Sequence, residues 1–166
     1  MTNYDWHQFT KRITIDSPAQ KIYDVWTTQQ GMESWFLRLA EFKTKDGVVR
    51  KRNEQIDRED RYRWLWFGYD DSTAEEQAVL FVNGKDELEF GFSGGCIVNI
   101  KIINEANETI CQLTQRMPMD DEKEQRFFFI ECGKGWTFYL ANLKSILEGG
   151  IDLRNKNVDI KNVVNA

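Results

Sequence analysis

Residues 135–150, GWTFYLANLKSILEGG, constrain the fold more than any other stretch of this chain. Trp136, Tyr139, Leu140, Leu143, Ile146 and Leu147 recur at the three- and four-residue spacing that lines one stripe of an α-helix, while Asn142, Lys144, Ser145 and Glu148 fall elsewhere around it. Gly149 and Gly150 end the helix, because glycine enters the left-handed C-cap conformation without steric cost. A stripe carrying a Trp and a Tyr among aliphatic residues requires a broad apolar surface opposite it. The upstream sequence supplies one, as strands.

Residues 9–16 read as a first strand, with Phe9, Ile13 and Ile15 set against a charged opposite face. Asp16 or Ser17 is positioned to cap a short helix whose first turn takes Pro18 and whose apolar side is Ile22, Val25 and Trp26. A second short helix or turn at 31–36 carries Met32, Trp35 and Phe36. The signal weakens through residues 37–60, where 40–44 and 47–52 are read as strands around a Lys45-Asp46-Gly47 turn.

From Arg61 the pattern sharpens. In RYRWLWFG, Tyr62, Trp64 and Trp66 alternate with Leu65 and Phe67, as in a strand covered on both faces. Strands follow at 75–82, 86–92, 96–104 and 108–117, joined by Asn83-Gly84, by Ser93-Gly94-Gly95 and by Glu105-Ala106-Asn107. Beyond Pro118, acidic Asp120, Asp121, Glu122 and Glu124 suit a helix N-terminus, and a dense apolar run extends from Phe127 to Ile130. Two arrangements fit: one long helix from about Asp121, kinked near Gly133 and Gly135, or a loop and short turn before a helix beginning near Lys134. The first is favoured. After Gly150, residues 151–166 hold too few apolar side chains for an element of their own and are expected to end loosely on the surface, 155–166 as a tail beyond the domain.

The order is strand, two short helices, a run of antiparallel strands and a long C-terminal helix, which is an α+β arrangement in a single domain over residues 1–154. The 166 residues include six Trp and eleven Phe, so the core is aromatic-heavy. A net charge of −5 argues against a nucleic-acid surface, and the basic run Arg50-Lys51-Arg52, followed by acidic residues, reads as a solvated loop. No apolar run is long enough to span a membrane. Cys96, Cys111 and Cys132 have no disulfide or metal-ligand spacing. With no secretory pattern in the first residues, the chain is read as cytoplasmic with reduced thiols.

Several of these segments together resemble a known family. The pieces are ITIDSPAQKIYDVWTTQQGMESWF, then RYRWLWFG, then GWTFYLANLKSILEGGIDLR. They resemble the SRPBCC (START-like, Bet v 1-like) superfamily, in the branch related to the C-terminal domain of the activator of heat-shock protein 90 ATPase. The resemblance runs from about Phe9 to Arg154. It implies a helix-grip fold, in which a curved sheet grips the C-terminal helix and encloses a cavity that members use for apolar ligands.

The residues point to binding more than to chemistry. His7, the only histidine, lies in a polar segment with no nucleophile or metal-ligand partner at a catalytic spacing, and no phosphate-binding glycine loop is present. Catalytic and metal residues are therefore assigned as none, and no cofactor is implied. The expected ligand-binding set is Trp35, Phe36, Tyr62, Trp64, Trp66, Phe90, Phe92, Trp136 and Tyr139, whose rings either line an apolar pocket or simply fill the core. Gln77, Asn99, Gln112 and Arg116 are candidate ligand selectors if they face inward, and outer-face residues otherwise. The leading reading is non-catalytic binding of a small apolar or amphipathic molecule. Two alternatives stand beside it: a co-chaperone-like interaction with a chaperone partner, and a cyclase or dehydratase that works through cavity polar groups. Homodimerisation through the Trp64-to-Phe67 strand or the Phe127–Phe129 run is a further partner expectation, since three adjacent Phe cannot all point inward from one helix.

Overall fold

The computed structural model describes residues 4–166. Seven strands form one antiparallel sheet in the order β1-β7-β6-β5-β4-β3-β2. In chain order these are β1 (Gln8–Thr14), β2 (Leu39–Lys43), β3 (Arg61–Leu65), β4 (Glu75–Val82), β5 (Glu87–Phe92), β6 (Cys96–Glu105) and β7 (Glu108–Arg116). Two short helices, α1 (Ala19–Thr27) and α2 (Gln29–Trp35), follow β1, and α3 (Glu122–Leu147) closes the fold. This is the helix-grip arrangement.

Alternation sets the faces. Leu88, Phe90 and Phe92 of β5 and Cys96, Val98, Ile100 and Ile102 of β6 all turn inward, and the β5–β6 register places Phe90 opposite Val98. The loop at 83–86 differs from a tight two-residue turn. Only Gly84 takes positive φ, while Asn83 Oδ1 accepts from the Lys85, Asp86 and Glu87 amides, so the asparagine acts as an acceptor rather than as a left-handed residue. Residues 47–52 form no strand beyond a single Lys43–Val49 bridge.

Helix α3 starts at the acidic cluster, where the Asp121 carboxylate accepts from the Lys123 amide at 2.9 Å and Glu122 and Glu124 occupy the first turn. It runs uninterrupted through Gly133 and Gly135, so the expected kink is absent as a break in the helix. Packing against the sheet on one side holds the helical path across both glycines. At the far end the Gly150 amide donates to the Ser145 carbonyl at 2.7 Å and the Gly149 amide to the Ile146 carbonyl at 3.3 Å, with Gly149 at φ 79°, which is a Schellman cap.

Three polar expectations are corrected. Asn142, placed off the apolar stripe by spacing, is fully buried because its amide donates to the Trp35 carbonyl at 2.7 Å and its oxygen accepts from the Leu153 amide at 2.7 Å. Ser17 does not cap α1: Pro18 occupies the N-cap position, and Ser17 Oγ is buried without a partner. Arg50 is not a solvated charge; its guanidinium holds buried Asp60 and also reaches Glu54, pinning the 50–60 loop to the sheet edge, while Arg52 pairs with Glu33.

The C-terminal segment is anchored rather than loose. Arg154 is buried, and its guanidinium donates to the carbonyls of Leu37, Glu33 and Ser34 at 2.9–3.1 Å and to Asp152. It thereby satisfies carbonyls at the end of α2 that the helix leaves open. Burial works against ionisation of Asp152, but the Arg154 and Lys156 charges outweigh it and hold this carboxyl well below the usual range. Composition misses this, because one buried ion pair and a set of backbone acceptors stand in for an apolar face. Among the described residues no helix is long and apolar enough to cross a membrane.

Candidate functional site

The space between sheet and α3 is filled by stacked and edge-on rings. Trp26 and Trp35 meet at 4.6 Å between ring centroids, Tyr62 stacks on Trp64 at 3.7 Å, and Trp64 contacts Phe90 at 5.2 Å. Trp35, Tyr62, Trp64 and Phe90 are each almost wholly buried and belong to this core. The Tyr62 hydroxyl donates to the Gly91 carbonyl at 2.6 Å, so its polar tip is already used, and burial pushes its ionisation far above the ordinary tyrosine range.

A cavity of about 450 Å³ opens at one end of this core. Five of the nine expected ligand residues line it: Phe36, Trp66, Phe92, Trp136 and Tyr139. The sheet contributes Glu75 at the start of β4 and Phe92 and Ser93 at the end of β5. The loop after β3 adds Tyr69 and Thr73, and α3 contributes Phe127, Phe128, Glu131, Cys132, Gly135, Trp136 and Tyr139. Val163, Val164 and Ala166 of the C-terminal segment complete the wall.

Local chemistry holds these groups in place. Trp136 Nε1 donates to the buried Gln115 Oε1 at 2.7 Å, fixing the indole between Phe36, at 5.1 Å, and Phe92, at 5.2 Å. The Tyr139 hydroxyl donates to the Ala166 carbonyl at 2.5 Å, and burial raises its ionisation above the ordinary value. Gly68, at φ 75°, leaves the gap that Ala166 occupies: a Cβ there would come within 2.6 Å of the Ala166 methyl. Gly94, at φ 67°, lies under the Phe128 ring, which a Cβ would meet at 2.0 Å. The β5–β6 turn can therefore seat α3 only as glycine.

The charged side chains lining it are both acidic. Glu75 accepts from Ser93 Oγ at 2.8 Å. Glu131 pairs with Lys134 on the outer surface of α3 at 2.7 Å. Burial raises the Cys132 thiol above its ordinary value, and the Glu75 and Glu131 charges raise it further against a hydrogen bond from Gln115, so it is a thiol and not a thiolate. Burial likewise pushes Cys96 up to about 12. Neither is an activated nucleophile. His7 lies on the surface against Asp5 at 3.0 Å, with no part in the cavity. Among the described residues no cluster of three or more metal-ligating side chains occurs.

Spacing alone missed most of this wall. Glu75 stands at the start of an expected strand, Ser93 in an expected turn, Gly135 near an expected kink, and residues 163–166 in a segment expected to be loose. Gln115 could have been found, because it occupies an inward position of an alternating strand. The considered selectors lie elsewhere: Asn99 bonds Glu87 at 3.0 Å and Arg116 bonds Glu89 at 3.0 Å. Gln77 and Gln112 are half-buried sheet residues outside the cavity wall. Of the three adjacent phenylalanines, Phe127 is 59% exposed, Phe128 covers Gly94, and Phe129 meets Phe9 at 5.3 Å and Trp6 at 5.1 Å.

The family model described as Activator of Hsp90 ATPase homolog 1-like protein matches residues 16–148. Solved structures share the fold at low identity. SSP2350 from Staphylococcus saprophyticus is 14% identical with a TM-score of 0.68, over 89% of this chain and 96% of that one. The Aha1 dimer from Colwellia psychrerythraea is 18% identical with a TM-score of 0.60, over 86% and 97% of the two chains. DynU16, a protein of the dynemicin biosynthetic locus, is 18% identical with a TM-score of 0.61, over 86% of this chain and 47% of that one. No curated protein sequence matches the chain.

Proposed function

We propose that this chain, which belongs to the Activator of Hsp90 ATPase homolog 1-like protein family, binds a small, largely apolar molecule in the cavity between the sheet rim, α3 and the C-terminal segment. The observation that carries the reading is the cavity itself. Its volume of about 450 Å³ falls in the range of small-molecule sites, and its walls are mainly aromatic with a few placed polar groups. The neighbouring core rings close against each other, whereas the rings at this end leave a space open.

Binding without chemistry is the reading the side chains favour. Cys132 is held protonated and the single histidine is remote, so neither supplies an activated group at the cavity; the Ser93 hydroxyl there donates to Glu75 and, among the described residues, has no third group orienting the pair. The three free cysteines suit a reducing compartment such as the cytoplasm. Native mass spectrometry of protein purified without detergent, followed by thermal shift against apolar and amphipathic compounds, tests the reading. A co-purified mass or a saturable rise in Tm is expected, because a ligand that binds only the native state stabilises it. A bare protein whose Tm no compound moves would overturn it.

A second reading, association with another protein chain, is favoured by one observation: Phe127 and Tyr69 expose large rings beside the cavity. Sedimentation or light scattering of the wild type and of Phe127→Ser decides it. A larger species that Phe127→Ser dissociates supports this reading, and a monomer in both removes self-association.

A further inference from the structure

The cavity contains two carboxylates and no basic side chain. Glu75 enters from the start of β4, Glu131 from α3, and no Lys or Arg lines the wall. Its strand neighbour Glu76 faces the other way and is paired with Arg63 at 3.2 Å. Glu75 is half-buried and is held only by the neutral Ser93 hydroxyl; among the described residues it forms no ion pair. A carboxylate in such a setting retains unused acceptor capacity directed at whatever occupies the site.

We infer that the occupant of this cavity is a cationic amphiphile: an amine or quaternary ammonium group seated near Glu75, attached to an apolar or aromatic body that packs against Phe92 and Trp136. The inference rests on the binding reading above and adds the charge of the ligand. Two features of the wall act together. Aromatic faces attract a cation through the ring quadrupole, and a carboxylate in a partly desolvated site attracts it more strongly than one in open water. An anionic amphiphile, by contrast, meets two negative charges and no compensating donor cation. The Glu131 charge is partly matched by Lys134 on the outer surface, so Glu75 is the principal partner.

Three probes of matched body separate the terms: phenylbutylamine, phenylbutanol and phenylbutanoate, titrated by calorimetry. The amine is expected to bind most tightly and the carboxylate most weakly. Glu75→Gln keeps an acceptor for Ser93, and it should weaken the amine about tenfold while leaving the alcohol within about twofold. Glu108→Gln, an exposed strand residue away from the cavity, removes one charge from the whole protein and controls for the net charge of −5. It should leave all three affinities unchanged. If Glu75→Gln unfolds, the salt dependence of the wild type serves instead: added salt should weaken the amine and spare the alcohol. Equal binding of the three probes, tightest binding of the carboxylate, or equal effects of Glu75→Gln and Glu108→Gln would overturn the inference while leaving the cavity reading intact. Failure of all three probes to saturate would also overturn the inference, and the cavity reading would then fall only if the thermal-shift screen finds no ligand either.

Discussion

Gly135 lies in the interior of α3, faces the cavity, and has no neighbouring atom within 4 Å of where a Cβ would stand. A glycine there lacks the helix propensity of alanine by about 1 kcal/mol. No close backbone contact or positive φ requires it. Gly135→Ala should therefore stabilise the protein by about 1 kcal/mol, and for a domain of this size Tm should rise by about 2–4 °C. Gly135→Leu keeps nearly the same propensity gain and extends a branched side chain into the cavity, where each further buried methylene contributes up to about 0.8 kcal/mol. Gly135→Leu should thus be at least as stable as Gly135→Ala, and the two should differ in binding. Alanine leaves most of the volume open and should bind a cavity ligand within about threefold of wild type, whereas leucine should weaken it more than about tenfold. Urea unfolding gives the stabilities at constant m, and calorimetric titration gives the affinities. A fall in Tm for Gly135→Ala would mean that the space beside Gly135 is not open. Undiminished binding to a well-folded Gly135→Leu would mean that the ligand sits elsewhere.

Two further outcomes test the anchored C-terminal segment. Arg154→Met removes the buried charge that satisfies three carbonyls and leaves Lys156 as the one cation paired with Asp152 among the described residues; urea unfolding should show a loss of about 3 kcal/mol, and a change below about 1 kcal/mol would mean that residues 152–166 contribute little to stability. Asp152 has a depressed folded-state pKa against an ordinary value of 3.8, so its contribution is present above that value and is lost as pH falls through and below it. Wild type should therefore lose stability more steeply than Asp152→Asn as pH is lowered below about 4, and parallel acid profiles would refute the assignment.

The differences between spacing-based expectation and structure have a common cause. Periodicity reports which side a residue faces when burial is driven by apolar area, and it does so well for β5, β6 and the stripe of α3. It is silent where a polar group is buried by satisfying another. Asn142, Asp60, Gln115 and Arg154 are each internal because a specific partner waits for them: the Trp35 carbonyl, Arg50, Trp136 Nε1 and the end of α2. Such partners are distant in sequence, and no local pattern encodes them.

By itself the amino-acid sequence determined most of the elements and their order, residues 47–52 excepted, together with the antiparallel run from β4 to β7, the acidic start and glycine cap of α3, and the aromatic character of the core, because each follows from local propensity or from periods of two and 3.6 residues. Tertiary structure alone decided which rings fill the core and which border a cavity. Trp64 and Trp66 share one strand pattern, yet Trp64 is locked between Tyr62 and Phe90 while Trp66 lies past the end of β3, where the sheet stops and α3 continues. The gap left there is a property of element lengths and crossing geometry. The charge within it comes from Glu75 and Glu131, 56 residues apart by their numbers, which only the packing of α3 beside the rim of the sheet brings to one wall.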